Sequence, residues 1–216
     1  MLTQTAEKCQ MSISVNNLRL IRGHKQIFEN LTFQSESRLI NIKGRNGIGK
    51  SSLLLALSGL IPLQSGVIRI GNRLLSQKEL MSAVGLSSAE IVTPSDIVCE
   101  HIIIYLTRRY QSAHYEMEDL LKGFDFDKQL DNTVGELSEG SFKKLTLIIA
   151  LMKAQVLLLL DEPSNGLDIE ATNFLLNNIL AKTQLCTMIT GHANSIHGQF
   201  TDIETINLDD HFAGKC

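Results

Sequence analysis

The sequence predicts an α/β protein with three parts: a parallel-sheet core carrying a phosphate-binding loop, an N-terminal antiparallel β subdomain and an inserted α-helical subdomain. Three observations predict it. A glycine-rich stretch ending Gly49-Lys50-Ser51 lies between an apolar strand-like run and an apolar helical run. An unbroken apolar run, Leu157-Leu158-Leu159-Leu160, delivers Asp161 and Glu162, as a parallel strand covered on both faces would. The patterning is alternating at the start, turns helical in the middle and ends as strands alternating with helices. One domain over residues 1–216 follows, with the core at 11–88 and 155–216 and the helical insert at about 94–152.

Residues 12–20 alternate Ile13, Val15 and Leu18 with polar residues, as in a half-buried strand. Gly23-His24 marks a hairpin turn, and residues 27–33 form the second strand. Leu39-Ile40-Asn41-Ile42 is the strand entering the loop, and the helix leaving it stops near Gly59 and Pro62. Residues 66–72 read as a short strand ending in a turn, and residues 82–86 as a core strand. From Pro94 to about Leu121 the chain reads as helical, with Ile97, His101, Ile104 and Tyr105 on one side, returning to the core near 131–135. Ser138 caps a helix over 142–153, and Asp168 caps another over 169–181. Residues 156–160 and 186–190 are buried strands, and 205–208 an edge strand. Right-handed crossovers would join the parallel strands.

Gly44-Arg45-Asn46-Gly47-Ile48-Gly49-Lys50-Ser51-Ser52 has the form G-x-x-x-x-G-K-S, which makes the core a P-loop NTPase core. Its glycines let backbone N–H groups curl around phosphate oxygens, and the following helix points its positive end at them. Lys50 would reach the β- and γ-phosphates, and the Ser51 hydroxyl would ligate Mg²⁺. Asp161, at a strand's C-terminal end, would hold the same Mg²⁺, while Glu162 would orient and polarise the attacking water. His192, past the last buried strand, is placed to hydrogen-bond the γ-phosphate.

The bulk properties exclude several classes. With 216 residues and 44% hydrophobic content the chain buries a sizeable core. A net charge of −3 and pI near 6.1 give no global field for nucleic acid. The cysteines, at 9, 99, 186 and 216, have neither zinc-ligand nor disulfide-framework spacing. The polar N-terminus carries no signal core, and no apolar run is long enough to span a bilayer, so a soluble, cytoplasmic chain is expected.

These motifs resemble the ATP-binding subunits of ABC transporters over essentially the whole length. They come in that family's order: residues 44–52, a helical insert, Leu137-Ser138-Glu139-Gly140-Ser141, residues 157–162, Ser164-Asn165-Gly166-Leu167-Asp168, and His192. The resemblance implies hydrolysis of ATP to ADP and phosphate with Mg²⁺, and a head-to-tail dimer, homo- or hetero-, holding two ATP molecules. Ser138 and Gly140 of each subunit would touch the γ-phosphate bound by the other, and Asp168 would tie the two sites together. It also implies a separate integral membrane subunit, docked between core and helical lobe, and a peripheral location on the cytoplasmic face. The form of residues 164–168 and the short tail are more similar to exporter subunits, including the haem-exporter type of cytochrome c maturation.

Three departures stand out. Glu139 and Ser141 replace a glycine and the glutamine of the family's Leu-Ser-Gly-Gly-Gln, adding a negative charge for which Lys143 and Lys144 are available cations. The family's glutamine after the strand at 82–86 is absent, leaving Ser88 or Glu90 as oxygen-bearing substitutes. Arg22 sits where the family stacks an aromatic on adenine, and is either a stacking guanidinium or a plain surface charge. Two rival functions follow: a soluble ABC-type ATPase outside transport, or a degenerate structural subunit of a heterodimer.

Overall fold

The structure, a computed structural model, describes residues 12–110, 114–191 and 200–211. Strands β1 (Ile13–Arg22) and β2 (Lys25–Ser35) form an antiparallel hairpin. With β4 (Ser65–Ile70) and β5 (Arg73–Leu74) they make a four-stranded sheet in the order β2-β1-β4-β5. The second sheet has the order β6-β7-β8-β3-β9 and is parallel throughout. Its strands are β3 (Leu39–Lys43), β6 (Val84–Ser87), β7 (Leu157–Asp161), β8 (Cys186–Thr190) and β9 (Ile203–Asn207), the last at the edge as expected. This is the α/β architecture with an antiparallel sheet and a parallel core.

Side-chain alternation along β7 separates two cores. Leu157 and Leu159 face the cluster shared with the antiparallel sheet and α1 (Lys50–Leu57), where Ile40, Ile42, Leu53 and Met188 lie. Leu158 and Leu160 face the cluster built by the later helices, with Leu147, Ile148, Leu151 and Leu175. A strand buried on both faces therefore reads as continuously apolar.

The middle of the chain differs from expectation in two respects. Residues 82 and 83 belong to a short helix, α2 (Gln77–Ala83), and the strand begins only at Val84. Ser76 and Glu79 form a reciprocal capping box at its start, which favours helix over strand there. The helical run from 94 to 121 is two helices, α3 (Cys99–Arg109) and α4 (Met117–Gly123). The buried side of α3 is Cys99, Ile103 and Leu106, whereas His101, Ile104 and Tyr105 are exposed. Ile97 lies before the first turn, so a face counted from it is rotated off the core. An isolated antiparallel bridge between Val98 and Thr133 brings the chain back beside α3, near 131–135.

Helix α5 (Glu139–Lys153) begins three residues earlier than expected, directly after its N-cap Ser138. It packs on β6, where Gly85 lies against the Ala150 carbonyl with no room for a Cβ. Helix α6 (Ile169–Phe174) is capped by Asp168 and continues as a π-helical segment, Leu175–Leu180.

Candidate functional site

Parallel strands place their C-terminal ends along one edge, the edge where ligands sit in open α/β sheets. Here that edge collects the loop after β3, Ser88 after β6, Asp161 and Glu162 at the end of β7, and Thr190 at the end of β8. Strand β8 lies between β3 and β7, so the loop and the carboxylates are separated by one strand and not adjacent in the sheet.

The loop from Gly44 to Ser52 closes on itself. The Lys50 ammonium donates to the Gly44 carbonyl at 2.7 Å and the Arg45 carbonyl at 3.3 Å, which holds it across the mouth of the loop. The Arg45 N–H donates to Asp209, and the Ile48 N–H to the Arg45 carbonyl. Gly49 is the N-cap of α1 at φ 115°, a left-handed conformation natural to glycine, and an added Cβ would strike Ile27.

Among the described residues no side chain caps α1, and its first turn has no acidic residue. Side chains cap α2, α5 and α6, and α3 and α4, which also lack a side-chain cap, carry acidic residues in their first turns, Glu100 and Glu118 with Asp119. Helix α1 thus directs uncapped N–H groups and its positive end into a loop that also carries a lysine, a donor set suited to phosphate. A triphosphate fits these groups.

Asp161 is buried, and each of its oxygens is held by one hydroxyl. Thr190 Oγ1 donates to Oδ1 at 2.5 Å and Ser88 Oγ to Oδ2 at 2.9 Å. Each oxygen keeps lone-pair capacity beyond that bond, so the clamp fixes the carboxylate without using it up. Among the described residues no three His, Cys, Asp or Glu gather around a common point. One carboxylate, one hydroxyl and substrate phosphates are the usual company of Mg²⁺, and Asp161 with Ser51 suits that ion.

Glu162 adopts φ 45°, uncommon for a residue with a side chain. Its N–H donates to the Thr190 carbonyl and hydroxyl oxygens, both at 3.2 Å, which pins the backbone in that conformation. The side chain is exposed at the sheet edge, and Asn165 Nδ2 donates to its Oε2 at 2.5 Å. Lys143, on α5, donates to the Asp161 carbonyl at 2.8 Å. Burial pushes its ammonium below the usual lysine range, against the pull of Asp161 and Glu162.

Residues 137–141 and 164–168 meet within this chain. Ser138 Oγ accepts from the Ser141 N–H at 3.1 Å and donates to Ser141 Oγ at 3.0 Å. A Cβ on Gly140 would come within 2.6 Å of the Gly166 carbonyl, so glycine permits this approach. Asp168 Oδ1 accepts from the Ala171 N–H at 2.7 Å, while Oδ2 pairs with Lys144 at 2.5 Å. Lys144, followed by the Ala171 N–H, holds the Asp168 carboxyl below the usual carboxylate range. The two lysines named as company for Glu139 are committed elsewhere, and among the described residues Glu139 has no ion pair.

Arg22 and Glu90 form an ion pair at 2.5 Å, and Arg22 Nη1 also donates to Ser52 Oγ at 3.4 Å. Of the two substitutes for the absent glutamine, Ser88 touches Asp161 and Glu90 touches Arg22. His192 lies outside the described residues. Sequence reasoning leaves Thr190 out of the site altogether, and it names Asn165 and Lys143 without their contacts to Glu162 and Asp161. The only signal for Thr190 was its place at a strand end, and its partner depends on strand order.

The profile of the ABC transporter family matches residues 28–165. The cytochrome c biogenesis ATP-binding export protein CcmA of Reclinomonas americana is 32% identical over 162 residues, covering 73% of each chain. The zinc import ATP-binding protein ZnuC of Anaplasma marginale (strain St. Maries) is 28% identical, covering 83% of this chain and 72% of its own. The linearmycin resistance ATP-binding protein LnrL of Bacillus subtilis (strain 168) is 23% identical, and the match spans 61% of its length. Among solved structures, a bacterial Atm1-family ABC exporter with ATP bound superimposes with a TM-score of 0.75 at 21% identity. That match covers 92% of this chain and 37% of the exporter chain. An ATP binding subunit of an ABC transporter gives 0.74 at 22% identity, covering 91% of this chain and 86% of that one.

Proposed function

Because the chain belongs to the ABC transporter family, we propose that it is the ATP-hydrolysing subunit of a transporter whose membrane channel is another polypeptide. The observation that carries this is the uncapped, lysine-bearing loop at the same sheet edge as a clamped aspartate and an exposed glutamate. The loop N–H groups and Lys50 bind the triphosphate. Ser51 and Asp161 would hold Mg²⁺, which supplies charge neutralisation between the β- and γ-phosphates. Glu162, aimed by its pinned backbone and by Asn165, accepts the proton of the attacking water. Ser138 keeps a free acceptor lone pair besides its cap, and the N–H groups at the start of α5 face the γ-phosphate of a partner subunit in a head-to-tail dimer. Nucleotide holds that dimer closed and hydrolysis releases it, which drives the membrane subunit.

The division into a core at 11–88 and 155–216 and a helical insert at about 94–152 belongs to the same proposal, with the membrane subunit docked between them. A peripheral location on the cytoplasmic face is part of the proposal; among the described residues no helix is long and apolar enough to cross a membrane. The relatives' names include both an export and an import protein. The exporter reading rests on CcmA and on the form of residues 164–168. Glu139, which has no ion pair among the described residues, favours a second reading in which this chain pairs with a more active, different subunit.

The test is ATP turnover of the purified chain, alone and with its membrane partner, against Glu162→Gln. A loss of about 10²–10⁴-fold is expected. Equal turnover in the two would remove Glu162 from the mechanism, and no turnover with the partner present would favour the second reading.

A further inference from the structure

We propose that Arg22 is a phosphate-sensing residue that exchanges Glu90 for the phosphates of a bound nucleotide, and so links nucleotide occupancy to the segment carrying Ser88. The inference deepens the nucleotide-binding function proposed above and rests on it. Arg22 stands at the end of β1, next to the hairpin turn. Its guanidinium is divided between Ser52 Oγ, in the first turn of α1, and Glu90 on the loop after β6. That first turn is the uncapped, positive end of the helix, where an anion binds. A cation already hydrogen-bonded to it is within reach of any phosphate seated there. A guanidinium has five N–H donors in a planar fork and pairs well with phosphate oxygens.

Glu90 is the competitor. Its carboxylate brings one negative charge, and the pair is partly exposed, with side-chain accessibilities of 47% for Arg22 and 32% for Glu90. A triphosphate brings several charges into the same space, so the guanidinium transfers to it. The consequence reaches the metal side of the site. The Glu90 N–H donates to Ser88 Oγ at 3.3 Å, and Ser88 Oγ donates to Asp161 Oδ2 at 2.9 Å. Glu90 thus anchors, through Arg22, the short segment that holds Asp161. Arg22 and Glu90 also line a groove of about 490 Å³ with Leu60, Ile61, Ile91 and the exposed Val92. Loss of the ion pair frees this groove wall from the hairpin.

The experiment is calorimetric binding of Mg-ADP, and separately of inorganic tripolyphosphate, to the full-length chain and three variants. Arg22→Ala is expected to weaken both ligands by a similar factor, about tenfold. Glu90→Ala, which removes the competitor, is expected to tighten both by about threefold. The double variant is expected to match Arg22→Ala, because Glu90 acts only through Arg22. Melting curves without ligand confirm that each variant is folded. A wild-type chain that binds Mg-ADP while Glu90→Ala weakens or leaves binding unchanged overturns the exchange. So does an Arg22→Ala loss for Mg-ADP with none for tripolyphosphate, which would make Arg22 a base-stacking residue. If the wild-type chain binds neither ligand, the nucleotide function fails, and this inference with it.

Discussion

Replacing Thr190 with valine tests the clamp on Asp161. The two side chains are nearly the same size, and Thr190 is fully buried, so the substitution removes a hydroxyl without opening a cavity. The lost bond is the 2.5 Å donation to Asp161 Oδ1, a hydrogen bond to a buried carboxylate. Such bonds contribute about 1.5–3 kcal/mol. The Glu162 N–H loses one acceptor and retains the Thr190 carbonyl at 3.2 Å, so the backbone conformation survives. At about 2–4 °C per kcal/mol for a domain of this size, a 2 kcal/mol loss lowers Tm by about 4–8 °C. Because Asp161 is proposed to hold the metal, the Mg²⁺ concentration for half-maximal turnover should rise at least about tenfold, as when an outer partner of a metal ligand is removed. Thermal denaturation and a Mg²⁺ titration of ATPase activity read the two effects. A variant that melts within about 1 °C of wild type and has the same Mg²⁺ requirement would refute the clamp.

Asp168→Asn should lower Tm at neutral pH, and the difference from wild type should shrink on acidification. Lys144 and the Ala171 N–H hold the Asp168 carboxyl below its ordinary value, so its contribution is full above about pH 4 and is lost as pH falls through the lower folded value. A Tm difference that stays constant from pH 7 to about pH 2 would contradict this. Asn165→Ala removes the donor to Glu162 Oε2 and should lower kcat by about tenfold while leaving Mg-ADP affinity unchanged, measured by steady-state kinetics and calorimetry.

The sequence exposes those parts of the site whose chemistry is local. The loop is legible because six consecutive positions, Gly47 to Ser52, carry the turn, the cation and the start of a helix together. Asp161 and Glu162 are legible because a two-sided strand leaves an unbroken apolar run before them. Contacts between distant segments are not legible in the same way. Thr190 meets Asp161 only because β8 pairs with β7 in parallel register, and Arg22 meets Glu90 across 67 intervening residues. Helix α2 is too short for periodicity to reveal, since it buries only Leu80; its one local signal is Ser76 with Glu79 three residues later. On α3, a count begun at Ile97 selects the exposed side, because Ile97 and Cys99 are two residues apart and lie about 200° apart around a helix. In sequence Lys143 and Lys144 lie close enough to neutralise Glu139, but α5 turns them toward Asp161 and Asp168.

Main-chain amides beside Lys50 are proposed to hold a triphosphate. The decisive titration is of Mg-ATP into the Glu162→Gln chain, in which turnover is expected to be blocked, compared with the same chain also carrying Lys50→Ala. One nucleotide per chain is expected in the first and at least about tenfold weaker binding in the second. Equal affinity in the two, or no heat of binding in the first, would contradict that proposal.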